Sequence, residues 1–490
     1  MPTQIVRTME ETAYKKQRVS FEDVVNSPLD NSLFSFRSNH IIDLVFTESP
    51  ESTATHKPDF THQLFDNETV QLSVDLNTNP RVTVAVNCSD LSHTVTYPAT
   101  LSKTDVETLA AGIHKALPEG CAEPMNDTDT ARKVSSVTDS VKSVPPGSLV
   151  HQFSVTTIHY EVYLATAKDD GASELLHRAE KIAMWYIETA DSVDFSDDRW
   201  EALFLYAVDK TAQSSEQSAT RYFAGYMTLF SFRNPFRGTK LRVCQALVLP
   251  HRQGHGLGRE MLLCVYKYIV QPRGDICELT VEDPAVGFQR LRDAVDFELF
   301  VSLRPDLFVS TVVPSESLFS GDAITQVAVA EGSTVGAVVA GPPSEQEICT
   351  AMKIIKAQAQ YLLECVEYVK LMRSLLAQSS NASENETTQI SKESTTTCTS
   401  ATKRPLDGDQ MNKMERLFKL LETSDAFKTF RLKVKRRILK NDKELAAIAP
   451  KSEMQKALSE EFAIELKRFH ALESTAKRLG LVSAKLDSLL

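Results

Sequence analysis

Three glycines within five residues, Gly254, Gly256 and Gly258, follow the run Leu247-Val248-Leu249-Pro250-His251-Arg252-Gln253 and open an amphipathic segment. With no Cβ in the way, such a backbone turns tightly and comes close to a ligand. A helix that starts there presents unpaired N–H groups and the positive end of its dipole, an anion site. Each such charge–dipole contact contributes ~0.3–1 kcal/mol at exposed positions. A dinucleotide-binding turn wants G-x-G-x-x-G, but the third position here is Arg259, and no acidic residue stands at a strand end about 20 residues on. A P-loop wants Gly-Lys-Ser/Thr, which does not follow. A plain strand–helix connection with no ligand is the bland alternative, and three glycines so close together argue against it.

Carboxylates border the same region. Glu282 and Asp283 end the run Leu279-Thr280-Val281 ahead of Pro284, and Glu188 lies in Met184-Trp185-Tyr186-Ile187-Glu188-Thr189, read as part of a helix. A positioned carboxylate acting as general base accelerates a proton transfer by roughly 10²–10⁴-fold. A solvated turn residue is the competing reading for each.

The elements that must position these groups follow from periodicity. Leu175 to Ala190 has helical spacing, with Leu176, Ala179, Ile182, Ala183 and Tyr186 on one side. Trp200–Val208, Phe223–Phe230, Val243–Leu249 and Cys277–Val281 read as strands, with a helix from Gly258 to about Val270 and another over Phe288–Ala294. Strand–helix alternation around residues 243 to 294 implies an α/β core. Upstream, Ile41–Phe46, Val82–Val86 and Phe153–Ile158 are strand-like, and Glu123–Pro146 reads as a loop. Downstream, helical patterns cover Ile348–Leu376, Met411–Ile438 and Glu453–Leu490, and the stretch Ser379–Pro405 between them is rich in Ser, Thr, Asn and Glu. The expected organisation is a weakly ordered start (1–30), a mixed domain (31–174), a catalytic core (175–305), a connecting and helical segment (306–378), a disordered insert (379–408) and a helical region (409–490).

Composition bounds the function class. The chain has 490 residues, 42% hydrophobic and 24% charged, with a formal net charge of -11. That is ordinary for a globular protein and long enough for two to four domains. The acidic balance argues against nucleic-acid binding through the average field and favours a basic partner. The eight cysteines are scattered without a CxxC pair, so neither a zinc site nor a disulfide framework is expected, and a reduced intracellular compartment is. Cys244, Cys264 and Cys277 sit in apolar runs and are read as small hydrophobes. No run approaches the ~20 apolar residues of a membrane span. Lys433, Lys435, Arg436, Arg437 and Lys440 form a basic run, either a solvated helix face or a nuclear-import signal.

The spacing Gln253-x-x-Gly256-x-Gly258 fits the Gln/Arg-x-x-Gly-x-Gly/Ala pattern of the GNAT acetyltransferases. More specifically, the chain resembles the catalytic subunit of type B histone acetyltransferases in Met184–Ala190 followed by Asp197-Asp198-Arg199-Trp200, in Gly225-Tyr226-Met227-Thr228, and in Gln245-x-Leu247-x-Leu249. Val281-Glu282-Asp283-Pro284 with Leu291-Arg292-Asp293, Pro58–Phe65 upstream and Phe430–Arg437 downstream extend the likeness over roughly residues 55 to 480. The resemblance implies a GNAT-type core of the α+β / α/β class, with a sheet-rich N-terminal domain and a helical C-terminal region. It implies that Gln253, Gly254, His255, Gly256, Leu257, Gly258 and Arg259 hold the pyrophosphate of acetyl-CoA. Ala246, Leu247 and Val248 would line the pantetheine arm, with one N–H polarising the thioester carbonyl. Glu282 becomes the general base, Glu188 and Asp283 supporting or alternate carboxylates, and Phe230, Ser231 and Phe232 contacts for the histone tail, joined by Asp66 and Glu68. Leu257 and Gly287 depart from polar positions of that family.

The activity so implied is acetyl transfer to lysines of free, newly made histone H4, with no metal and no membrane. A WD-repeat histone-binding subunit is the implied partner, direct DNA binding is not expected, and nucleus and cytoplasm are the expected locations. Direct attack without an acyl-cysteine is expected because no cysteine stands beside a base in the sequence. A GNAT enzyme acting on another protein or a small amine, and a histone-binding scaffold without activity, are the alternatives.

Overall fold

The computed structural model describes residues 33–49, 51–74, 80–118, 144–209, 219–308, 343–386 and 424–482. The chain divides into two compact units, Met1–Thr138 with Glu180–Asp191, and Asp139–Ala179 with Ser192–Leu490. Helices and mainly antiparallel sheets are segregated within them, the α+β class.

In the first unit β1 (Phe34–Arg37) leads through the short helix α1 (Ser38–Ile41) into β2 (Ile42–Ser49), followed by β3 (Ser52–His56), β4 (Thr69–Leu72), β5 (Val82–Asn87) and β6 (His93–Thr96). A four-stranded sheet has the order β3-β2-β5-β6, with β2 and β5 parallel, and β1 pairs with β4 separately. Val82, Val84 and Val86 are fully buried while Thr83 and Ala85 between them are not, the period of two that makes this run a one-faced strand. Helix α2 (Lys103–Ile113) begins at a reciprocal cap between Ser102 and Asp105.

In the second unit β7 (Ser148–Val155), β8 (Ile158–Ala165), β9 (Trp200–Asp209), β10 (Thr220–Phe232), β11 (Thr239–Val248) and β12 (Ile276–Val281) form one sheet in the order β12-β11-β10-β9-β8-β7. Helix α3 (Ala172–Ala183) lies between β8 and β9 in sequence, and its last residues count with the first unit. Only β11 and β12 are parallel, so a crossover must join them. That crossover is α4 (Leu257–Cys264), continued by a π-helical turn at Val265–Val270. After β12 come α5 (Val286–Leu303), α6 (Glu345–Met352), α7 (Lys356–Glu386), α8 (Asp425–Asn441), α9 (Lys443–Ala447), α10 (Lys451–His470) and α11 (Glu473–Arg478). One core joins the sheet to these helices through Leu205, Met227, Val243, Met261, Phe297, Tyr361, Phe430 and Phe469. No helix among the described residues is long and apolar enough to cross a membrane.

Several expected elements are redrawn. The run Phe153–Ile158 is not one strand but a hairpin, with Thr156 at φ +53° between β7 and β8. Both strands belong to the β9–β12 sheet, so a core beginning at 175 starts too late. The helix read over Leu175–Ala190 stops at Ala183, and residues 184–186 and 188–189 are turns, which takes Glu188 off any helix. The short helix read at Phe288–Ala294 extends over Val286–Leu303. Helix α7 runs to Glu386, past the Ser379 start of the polar insert; the remainder of that insert, residues 411–423 and most of 123–146 lie outside the described residues.

Candidate active site

The site begins with an irregularity in β10 and β11. Met227 pairs with Ala246 but Leu229 pairs with Val243, so Cys244 and Gln245 together face Thr228 across a bulge. The Thr228 hydroxyl accepts the Gln245 N–H at 3.0 Å, and the Tyr226 hydroxyl donates to Gln245 Oε1 at 2.6 Å. Gly225 is required beside this bulge: a Cβ there would stand 2.5 Å from the Leu247 carbonyl oxygen.

The bulge turns the main chain over. Before it, Val243 O accepts the Glu282 N–H at 2.9 Å, on the β12 side. After it, Leu249 N donates to Ala224 O at 2.8 Å, on the β10 side. By strand alternation the main-chain groups of Ala246 and Val248 then face the side where β12 would lie. Yet β11–β12 pairing ends at Val243↔Val281, and β12 gives way to Glu282, Asp283 (φ +29°) and Pro284. β12 ends there while β11 runs on to Val248, and this side of β11 with no strand paired to it, which Ala246 and Val248 face, is called the cleft below.

The cleft leads to the glycine turn. Pro250–Arg252 makes one 3₁₀ turn, and Gln253 donates through Nε2 to Val248 O at 2.9 Å, tying the turn to the strand end. Gly254 and Gly256 both have φ +80°, and nothing lies within 4 Å of where a Cβ on either would project. Gly256 caps α4 with no side-chain hydrogen bond, and Glu260 is the first residue to close a helical bond, to Gly256 O at 3.2 Å. The N–H groups of Leu257, Gly258 and Arg259 therefore have no partner within the helix, and the dipole adds to them. Gln253 to Gly256 are exposed, whereas Leu257 packs its side chain into the core at 2% exposure and offers the turn only its N–H. Arg259 also gives only its main chain: its guanidinium bonds Glu298 on α5, through Nε at 3.0 Å, and the neighbouring Glu260. Replacing Gly256 with valine is expected to weaken binding of a polyphosphate ligand at least about tenfold, because a left-handed backbone costs an L residue ~1–2 kcal/mol and the branched side chain fills the open space. Calorimetric titration of the variant against wild type checks this.

At the vertex of the cleft stands Glu282. Arg242 Nη1 lies 3.1 Å from its Oε1, and the Arg242 guanidinium also covers the Phe232 ring, 4.5 Å from the centroid. Cys244, half-buried at the bulge, also contacts Glu282; burial first and then this carboxylate push its thiol up to about 12. The premise that no cysteine stands beside a base is thus overturned, because the bulge brings into contact residues 38 apart in sequence. Cys277, expected in the core, is exposed.

The other expected residues divide between the units. Phe230 packs on Trp200 at 4.7 Å with Arg199 over its ring at 4.8 Å, Ser231 is buried, and Phe232 is 40% exposed. Asp66 is exposed and Glu68 half-buried on a short 3₁₀ turn of the first unit. Glu188, exposed, also belongs to that unit, and its carbonyl accepts from Gln63 Nε2 at 2.9 Å. No cluster of three or more His, Cys, Asp or Glu that could hold a metal occurs among the described residues. The basic run on α8 is partly spent on ion pairs: Lys433 with Glu367, and Arg437 with Glu364 and Glu465. Sequence alone missed Arg242, Cys244 and Glu298, none of which lies in a motif.

Residues 34–188 match the family model described as the histone acetyl transferase HAT1 N-terminus. The chain is 27% identical over 306 residues to a histone acetyltransferase type B catalytic subunit of Rattus norvegicus and 28% identical to that of Homo sapiens, covering 58% of this chain and 68% of each relative. The Aspergillus oryzae counterpart is 28% identical over 295 residues, covering 54% of this chain and 56% of its own. The chain is an acetyltransferase enzyme. It is similar to the type B histone acetyltransferase catalytic subunits, as the sequence motifs implied.

Proposed function

We propose that this enzyme has a GNAT-type core and moves the acetyl group of acetyl-CoA to lysines of histones, the N-terminal tail of free histone H4 in particular. The observation that carries the reading is the end of β11–β12 pairing at Val243, with β11 running on alone into a glycine turn whose first helical N–H groups have no partner within the helix. The turn's chemistry fits a diphosphate: the φ +80° glycines leave room, and the α4 dipole favours negative charge. When bound, acetyl-CoA supplies an activated thioester.

The chain's own residues do the rest. Gly254 to Arg259 hold phosphate through main-chain N–H groups, while Gln253, whose own N–H goes to Pro250 O at 3.2 Å, ties the turn to Val248. Ala246 and Val248 turn peptide groups toward the cleft, where an N–H stabilises negative charge growing on a carbonyl oxygen. Glu282 takes a proton from the lysine ammonium, and the neutral amine so formed attacks the thioester carbonyl, the CoA thiolate leaving as the amide forms; Asp283 stands next to Glu282. Phe230 and Phe232 offer apolar surface to the aliphatic stem of a lysine. Asp66 and Glu68, in the first unit, carry negative charge of the kind that suits a basic tail, and Glu188 of the same unit remains the alternate carboxylate. Direct attack on the thioester is favoured over an acyl-cysteine, because a thiol pushed up to about 12 holds little thiolate at neutral pH. A WD-repeat histone-binding subunit as partner, and residence in nucleus and cytoplasm, belong to the same reading.

The test is an acetylation assay with acetyl-CoA and an H4 tail peptide, read by mass spectrometry, beside polyamine and aminoglycoside acceptors. Lysine acetylation of the peptide above the small amines is expected. Transfer to the small amines alone would favour another substrate class, and absence of acetyl-CoA binding by calorimetry would leave a scaffold.

A further inference from the structure

We propose that Arg478, on the last described helix, is a positioning residue for the donor site: it sets the charge and geometry of the glycine turn through Glu298. The inference rests on the reading of that turn as a phosphate site.

Glu298 is a carboxylate on α5 whose side chain is 2% exposed. Its Oε2 accepts from Arg259 Nε at 3.0 Å and from Arg478 Nη2 at 2.7 Å, and its Oε1 accepts from Arg259 Nη2. Arg259 is the third residue of α4, so its own N–H is one of the open donors of the turn. Arg478 arrives from 180 residues away in sequence. A second contact ties α5 to the turn: a Cβ on Gly258 would lie 3.1 Å from Leu291 Cδ2, so the first turn of α4 rests on α5 at close range.

The charges decide the direction of the effect. Arg259 and Arg478 carry two positive charges, and Glu298 and Glu260 two negative ones, so the cluster is neutral. Without Arg478 it holds one net negative charge behind a turn that receives an anion. Without Arg478, moreover, Glu298 is fixed from one side only. Helix α11 does not depend on this bond for its seat, since Leu472, Ala476, Leu481 and Val482 are buried around it and the Arg478 side chain is 45% exposed.

Calorimetric titration of the full chain with acetyl-CoA, at low and high salt, tests the proposal. Arg478→Ala and Arg478→Gln are expected to raise Kd about two- to fivefold at low salt, less at high salt. Arg478→Lys is expected to restore most of the loss. In the acetylation assay the KM for acetyl-CoA rises in the two neutral variants while the KM for the peptide and the melting temperature stay near wild type. A purely structural role would move both substrates together and would not respond to salt. Wild-type affinity in both neutral variants overturns the proposal alone. A wild-type chain that ignores acetyl-CoA overturns the reading of the turn and this inference with it.

Discussion

Glu282→Gln is expected to lower turnover by about 10²–10³-fold at neutral pH, within the range a positioned base supplies, while acetyl-CoA affinity changes little. The argument is geometric. Glutamine keeps the shape of the side chain, and the main-chain bond from residue 282 to Val243 O, at 2.9 Å, does not depend on the carboxylate. The vertex of the cleft and the glycine turn therefore persist, and only proton acceptance is lost. Arg242 on β11 holds the carboxylate at 3.1 Å, and the Cys244 thiol lies beside it. Cys244→Ser is the companion: it retains a hydrogen-bond donor near Glu282 and should keep most of the activity, whereas an acyl-cysteine route would lose nearly all of it. Steady-state rates of both variants, with donor binding measured separately, decide the matter. Undiminished turnover of Glu282→Gln would remove Glu282 from the mechanism.

The glycine turn was legible because its information is local. Gly254, Gly256 and Gly258 state a backbone requirement in themselves, and the helix start that they serve lies at Leu257 as spacing implies. The flanking strands were legible too, since each is an apolar run with its own bounds. What positions the site was not. The end of β11–β12 pairing follows from a bulge opposite Thr228, and a bulge leaves no mark on the pattern of a buried strand. The Cys244–Glu282 contact follows from that bulge and from parallel pairing. The end of α3 at Ala183 was missed because Met184, Trp185 and Tyr186 continue a helical apolar pattern while burying Trp185 from turns. The hairpin at Thr156 was missed because threonine reads as strand wherever it falls. In α5 the acids Asp293, Asp296 and Glu298 are all at most 1% exposed, which no local pattern of the sequence states. Arginines 468 and 478 bond two of them across 175 and 180 residues of sequence. No window along the chain contains both partners.

That buried network carries the second large effect, on stability. Asp293→Ala is expected to destabilise the second unit by about 3–5 kcal/mol, the cost of leaving one member of a buried ion pair without its partner. Arg468 on α10 grips Asp293 with two bonds, Nε to Oδ2 at 2.5 Å and Nη2 to Oδ1 at 2.7 Å, and the same guanidinium lies 3.8 Å from the centre of the Tyr361 ring on α7. Gln358 Nε2 also reaches Asp293 at 3.2 Å. Burial opposes the charge on Arg468, and the bonds to Asp293 outweigh it, so its guanidinium is raised above its ordinary value. Removing the carboxylate leaves a cation that is 18% exposed with the longer Glu465 contact at 3.4 Å and the ring face, which do not replace the two short bonds to Asp293. Urea unfolding followed by fluorescence measures the loss as a lower midpoint at unchanged slope. The double replacement Asp293→Leu with Arg468→Met separates charge from packing. Taking both ions out together removes the stranded cation, so the double variant should recover much of the loss that the single one suffers. If the single variant instead unfolds at the wild-type midpoint, the pair does not hold α10 against α5. The stacking of Phe469 on α10 against Tyr361 on α7, at 5.1 Å, would then be part of what seats α10 instead.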